Sequence, residues 1–317
     1  MHASLLPLLV CTNTGFELTL QDAVYAPDGS IESGALRVQN GRAYPIRHGI
    51  PRFVDADAYV SSFSAQRRYM RKRFTAWQEE TGREALFEST TQLPLAELRD
   101  RLVLDAGCGY GRFLDPVSTA GATVIGLDLS TDSIDLAQRY VGDRHNVHLI
   151  QGDLMHPPFR RDSFDAVYSI GVLHHTPSTH DAFDGLSRFV RPAGKLAVWV
   201  YAPEDKWFDD ILRHATRRMP SEAVLAIGMA RHLFGQGARK ALLHRKDAHV
   251  IKGFWSSVMG QYDSLAPKYA FVHTFAEVES WFEKLGWTQV QRSNRRTAVT
   301  GVRPCSSPGG RMGSIPA

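Results

Sequence analysis

The chain has 317 residues, of which 43% are hydrophobic and 22% charged, with a formal charge of +4 at neutral pH. This is the composition of an ordinary globular protein with room for one large domain and additions, and no apolar run approaches the length of a membrane span. Three cysteines, Cys11, Cys108 and Cys305, stand far apart and odd in number, which excludes a disulfide framework and a four-cysteine zinc site.

Residues 1–56 carry short β-like runs with turn signals, "APDGS" and "QNGR", and close on "GRAYPIRHGIPRFV". The apolar stretch "LLPLLV" is too short to span a membrane and lacks the basic flank and cleavage site of a signal peptide, so a cytoplasmic protein is expected. The next segment, 57–100, reads as helical and amphipathic through "SSFSAQRRYMRKRFTAW" and "FESTTQLPLAEL". Its aromatics Phe63, Tyr69, Phe74 and Trp77 fall at helical spacing and are read as core contacts. The basic cluster Arg67, Arg68, Arg71, Lys72 and Arg73 is read as a solvated face.

A short apolar strand then runs into glycines at alternate positions in "VLDAGCGYGR": Gly107, Gly109 and Gly111, with Asp105 two residues ahead of the first. Dinucleotide sites usually space their glycines G-x-G-x-x-G to seat a pyrophosphate on a helix N-terminus. Here the spacing differs, and an acid beside the turn suits a cationic or amine-bearing ligand better than a diphosphate. "ATVIGLDLS" reads as a second strand ending at Asp128, 23 residues beyond Asp105, where a carboxylate can take ribose hydroxyls. "NVHLIQGDLMHPPF" reads as a third strand followed by Gly152, Asp153 and Leu154, and "DSFDAVYSIGVLHHTP" as a fourth over Phe164–Ile170. Open α/β sheets bind ligands at the carboxyl ends of their strands, where these acids fall.

The motif "VLDAGCGYGRF" resembles motif I of class I S-adenosylmethionine (SAM)-dependent methyltransferases, D-x-G-x-G-x-G, and the fourth strand resembles their F-D-x-V-x-S-x-x-x-L-H-H segment. The resemblance covers about residues 45–303. It implies an α/β fold with a Rossmann-like, seven-stranded, mostly parallel sheet whose last strand is antiparallel. The implied cofactor is SAM, with Asp105, Gly107, Gly109, Gly111 and Ile170 around it. Asp128 and Leu129 would lie at the ribose and Gly152, Asp153 and Leu154 at the adenine, whose amine would donate to Asp153. It also implies that the helix before the sheet covers the cofactor, so that Tyr69 or Arg73 could reach its carboxylate. The phrase "YPIRHGIP" resembles the end of a small Trm112-like module found ahead of some bacterial methyltransferase domains. Such modules hold zinc through cysteine pairs, whereas only Cys11 stands here, so a metal-free packing module is expected.

The sulfonium already activates the methyl group, so the protein need supply alignment, desolvation and, for a hydroxyl or amine acceptor, a base. His174 and His175, just past the fourth strand, are the candidates. After a fifth strand, "GKLAVWVYAP", which follows the turn "RPAG", residues 203–270 form an insertion expected to be a mostly helical lid. In it Trp207, Phe208, Phe254 and Trp255 mix with glycines at Gly235, Gly237, Gly253 and Gly260 that could act as hinges. With "QYDSLAPKYAFVHT" it would build the acceptor pocket, for which Tyr201, Asp263, Tyr269 and His273 are candidates. "TFAEVESWFEKLGW" reads as an amphipathic helix, "TQVQRS" and "RTAVTGV" as the last strands, and residues 304–317 as a disordered tail. The expected partner is a small-molecule acceptor, such as a sugar, amino sugar or secondary metabolite methylated on nitrogen or oxygen, with neither nucleic acid nor a membrane.

Two alternatives stay open. One is an RNA methyltransferase: residues 204–252 hold ten Lys or Arg against six Asp or Glu, a set that could track phosphates, although no Asn-Pro motif follows the fourth strand. The other is a SAM-binding adaptor without chemistry.

Overall fold

A computed structural model of the chain describes residues 1–39, 41–54, 59, 62–63, 66, 82–203, 212–213, 215–216, 219–232, 258, 260, 262–293 and 297–305. Its N-terminal part is a four-stranded antiparallel sheet in the order β1 (Thr19–Tyr25), β2 (Ile31–Arg37), β3 (Ala43–Arg47), β4 (Ile50–Pro51). The expected turns join these strands. Between β3 and β4, His48 and Gly49 both take positive φ, 52° and 72°, the pair of left-handed residues that a two-residue hairpin with the native twist requires.

After α1 (Arg83–Thr91) comes a seven-stranded sheet built from β5 (Leu102–Ala106), β6 (Thr123–Asp128), β7 (Val147–Gln151), β8 (Phe164–Ile170), β9 (Val190–Trp199), β10 (Thr288–Arg292) and β11 (Ala298–Val302). The spatial order is β10-β11-β9-β8-β5-β6-β7. Strand β11 runs antiparallel to both of its neighbours and every other pairing is parallel. Central strands of such a sheet are covered on both faces, which is why β5 is apolar apart from Asp105. Val103 packs into one hydrophobic cluster, with Phe87, Val117 and Ala137, and Leu104 into the other, with Phe183 and Phe282.

Helices α2 (Leu114–Thr119), α3 (Thr131–Val141), α4 (Thr179–Ser187) and α6 (Phe275–Lys284) pack against the sheet, while α5 (Ser221–His232) packs with Tyr262 and Leu265 in a cluster of its own. Their starts follow the sequence: Ser130, Ser178 and Thr274 each cap a helix by accepting from the backbone N–H three residues on. Because β5 has β6 on one side and β8 on the other, chain order reverses there, and the crevice beyond the strands' carboxyl ends opens at that point.

The N-terminal sheet is attached to the β7 edge. Phe53 N–H donates to the Gln151 carbonyl at 2.8 Å, and the Arg52 guanidinium donates to Gln151 Oε1 at 3.0 Å and to Asp135 at 2.7 Å. A short antiparallel bridge joins Leu9 to Phe159. An otherwise unpaired parallel-sheet edge is thereby covered. Cys11 is buried in this module, its Sγ 3.3 Å from Tyr44 Oη, and among the described residues no three His, Cys, Asp or Glu side chains come together as a metal set.

Two readings need adjustment. The stretch "RPAG" does not precede the fifth strand as a turn; it lies inside β9, where Ala193 takes φ 62° and donates its N–H to the Arg303 carbonyl. Hydrogen bonding across to the end of β11 keeps this irregular stretch in the sheet. Of the expected lid, α5 is helical as read, whereas Trp207, Phe208, Phe254, Trp255, Gly235, Gly237 and Gly253 lie outside the described residues. So do Tyr69, Phe74, Trp77 and the basic cluster 67–73, and, in the expected tail, residues 306–317. No helix of the described residues is long and apolar enough to cross a membrane.

Candidate functional site

The glycine turn at the end of β5 is held against the end of β6. Gly107 and Cys108 N–H groups donate to the Leu127 carbonyl at 2.7 and 3.1 Å, and Gly109 N–H donates to Asp128 Oδ2 at 2.9 Å. The other oxygen of Asp128 accepts from Ser130 N–H at 2.9 Å. All three glycines have positive φ: 91° at Gly107, 55° at Gly109 and 89° at Gly111. At Gly107 a Cβ would also meet the Val172 side chain at 2.4 Å, so only glycine fits. Leu129 is buried behind Asp128, and Ile170 closes β8 beside the turn.

Asp105 sits beneath the turn rather than in it. It is only 3% exposed, its Oδ2 accepts from Tyr168 Oη at 3.0 Å, and burial, with the charge of Asp128 adding to it, holds its carboxyl well above the usual range. An acid held this way supports the turn from below. Tyr168, 63 residues away in sequence, is the partner that sequence reasoning missed.

Beyond β7, Gly152 approaches Leu127 so closely that a Cβ would lie 2.9 Å from its side chain. Asp153 follows with its carboxylate oriented by two donors: Tyr59 Oη and the Met155 N–H reach the same oxygen, Oδ1, at 2.7 and 2.9 Å. Leu154 is buried in the core under it. Tyr59 was also missed; it stands in "DADAYVSS", which carries no motif. Its ring meets that of Tyr269 edge-on at 6.0 Å.

Aromatic rings wall the crevice past β8 and β9. His174 is fully buried and lies against Tyr201 with ring centroids 3.8 Å apart, while His175 contacts His174, Tyr201 and Phe63 at 4.1, 5.3 and 5.0 Å. His175 Nδ1 is 2.8 Å from the Tyr269 carbonyl oxygen. Since a carbonyl only accepts, Nδ1 carries the proton in the neutral ring and Nε2 the lone pair. The structure thus brings His174, His175, Tyr201 and Tyr269 together. Asp263 accepts from Gln66 Nε2 at 2.6 Å, on the side of Phe63. His273 is joined to Tyr201 through the backbone, but its ring turns to Glu277 at 2.7 Å and to Trp281 at 5.0 Å.

Glycines that leave the backbone bare and two carboxylates at neighbouring strand ends, ready to accept from ribose hydroxyls and an adenine amine, suit an adenosine without a diphosphate. Residues 104–198 match the model of a methyltransferase domain family. A sterol 24-C-methyltransferase of Gibberella zeae is 33% identical over 156 residues, 46% of this chain and 40% of that enzyme. That of Saccharomyces cerevisiae is 30% identical over 45% of this chain and 38% of its own length. The match therefore spans about two fifths of these relatives. Among solved structures, an S-adenosylmethionine-dependent methyltransferase from Mesorhizobium loti is 30% identical, with a TM-score of 0.33 over 35% of this chain and 50% of that one. Residues 104–198 thus carry the similarity to a methyltransferase domain, and they span β5 to β9 of the large sheet.

Proposed function

We propose that the protein transfers a methyl group from SAM to a nitrogen or oxygen of a small-molecule acceptor held against the aromatic wall past β8 and β9. The cofactor would lie over the glycine turn, with its ribose at Asp128 and Leu129, its adenine at Gly152, Asp153 and Leu154, and Gly107, Gly109, Gly111 and Ile170 around the rest. Asp105 supports the turn from beneath. When bound, SAM supplies a methyl group on a positive sulfur, open to in-line displacement. Ring faces carry partial negative charge and suit a sulfonium, and they exclude water from the line of attack.

The observation that carries this reading is the contact of His175 Nδ1 with the Tyr269 carbonyl at 2.8 Å. It supports a tautomer with the proton on Nδ1 and the lone pair on Nε2, the form a general base needs, and we take His175 as the base. As the acceptor's oxygen or nitrogen is methylated, His175 Nε2 would take the proton that this atom gives up. His174, sealed against Tyr201, packs the base in place. Tyr201, Tyr269 and Asp263 line the acceptor side; His273 supports Tyr201 through the backbone. The N-terminal sheet, similar to a Trm112-like module, has a packing role at the β7 edge.

Incubation with methyl-labelled SAM and separate pools of amino sugars, sugars, a sterol and tRNA tests the proposal. Label on an oxygen or nitrogen of a small molecule supports it, and label on a sterol carbon contradicts it. Label in tRNA, or in none of the pools nor in a cell metabolite extract, contradicts it.

A further inference from the structure

Asp153 offers two oxygens, and the structure treats them differently. Oδ1 accepts from both Tyr59 Oη at 2.7 Å and Met155 N–H at 2.9 Å, which uses its two lone pairs. Oδ2 has no hydrogen-bond partner among the described residues. A carboxylate on a flexible side chain otherwise rotates freely, and two donors from segments far apart in sequence remove that freedom. Met155 is two residues beyond Asp153, whereas Tyr59 comes from 94 residues upstream and rests edge-on against Tyr269. We infer that Tyr59 is a positioning residue for the cofactor: by holding Asp153 Oδ1 it presents Oδ2 to the amine of the adenine.

This rests on the reading that Asp153 receives the adenine amine. The direction of the Tyr59 bond is fixed, because an ionised carboxylate only accepts. Burial, followed by the charge of Asp153, keeps the phenol protonated well above its ordinary range, so it remains a donor wherever the enzyme works. The inference has a rival with the opposite sign. If the tyrosine were a plug that occupies the oxygen the purine needs, removing its hydroxyl would help the cofactor bind.

The test is a cycle of affinities measured by calorimetry. S-adenosylhomocysteine and S-inosylhomocysteine, whose purine carries an oxo group in place of the amine, are titrated into the wild-type protein and into Tyr59→Phe. The wild type should favour the adenosyl ligand by roughly tenfold or more, and Tyr59→Phe should weaken that ligand roughly five- to tenfold while leaving the inosyl ligand within about twofold. Tyr59→Leu repeats the measurement if the phenylalanine variant melts early. An adenosyl affinity that is unchanged or tighter in Tyr59→Phe overturns the inference, as does an equal loss for both ligands, which would mark a merely structural role. Equal affinities in the wild type would overturn the Asp153 reading itself.

Discussion

His175 Nδ1 and the backbone carbonyl of Tyr269 lie 2.8 Å apart, so a residue 94 positions downstream decides which nitrogen of the histidine holds its proton. His175→Asn keeps a donor near that carbonyl and removes the base. Turnover should fall about 10²- to 10⁴-fold, with the fall of the rate on the acidic side of the pH profile lost and S-adenosylhomocysteine affinity within about twofold. Wild-type turnover in this variant would remove His175 from the chemistry.

Asp128 ties the turn to the end of β6 through Gly109 and Ser130. Asp128→Ala should weaken S-adenosylhomocysteine by about 1 to 3 kcal/mol, through the lost ribose contact and a looser turn. Calorimetry that finds the same affinity as wild type would show that the ribose lies elsewhere.

Gly107 combines φ of 91° with a Val172 side chain where its Cβ would go. Gly107→Ala should lower stability by about 1 to 3 kcal/mol in a denaturant melt and impair cofactor binding. Adding Val172→Ala should recover the clash but not the backbone strain, so rescue should be partial. Full rescue would mean the backbone is unstrained.

The sheet was legible because β5 to β8 are short, mostly apolar runs that end on or beside a glycine or an acid, and because the serine and threonine caps announce the helices. Asp105, Asp128 and Asp153 were found as strand-end acids, but not what each touches. Tyr168 sealing Asp105 and Tyr59 holding Asp153 are pairings across 63 and 94 residues, and no local pattern encodes them. The start of β9 was misjudged for a related reason: Pro192 and Gly194 signal a turn locally, and the contacts with Arg303 that keep this stretch in the sheet come from over a hundred residues away. The ring of His273 turns toward Glu277 because α6 begins two residues later and offers a carboxylate four residues on.

His148 on β7 is buried beneath the N-terminal sheet, 5.5 Å from the ring of His2. Burial first, then the charges of His2 and the terminal amine, push it down to about 4 from an ordinary value near 6.5. The unfolded chain therefore binds this proton more readily than the folded one, and stability rises with pH across that interval. The contribution should be complete above about pH 6.5 and should disappear as pH falls toward 4, a loss of roughly 3 kcal/mol. His148→Phe should flatten that part of the stability curve. An identical slope in the variant, measured by urea melts at several pH values, would place the acid sensitivity at another group.

The central claim is that one crevice holds SAM against His175, and a crystal structure with S-adenosylhomocysteine bound tests it most directly. The expected density puts the ribose hydroxyls on Asp128, the purine amine on Asp153 Oδ2, and the sulfur facing the ring wall of His175 and Tyr201. A ligand bound away from the turn at Gly107, Gly109 and Gly111, or with its sulfur directed away from His175, would contradict it.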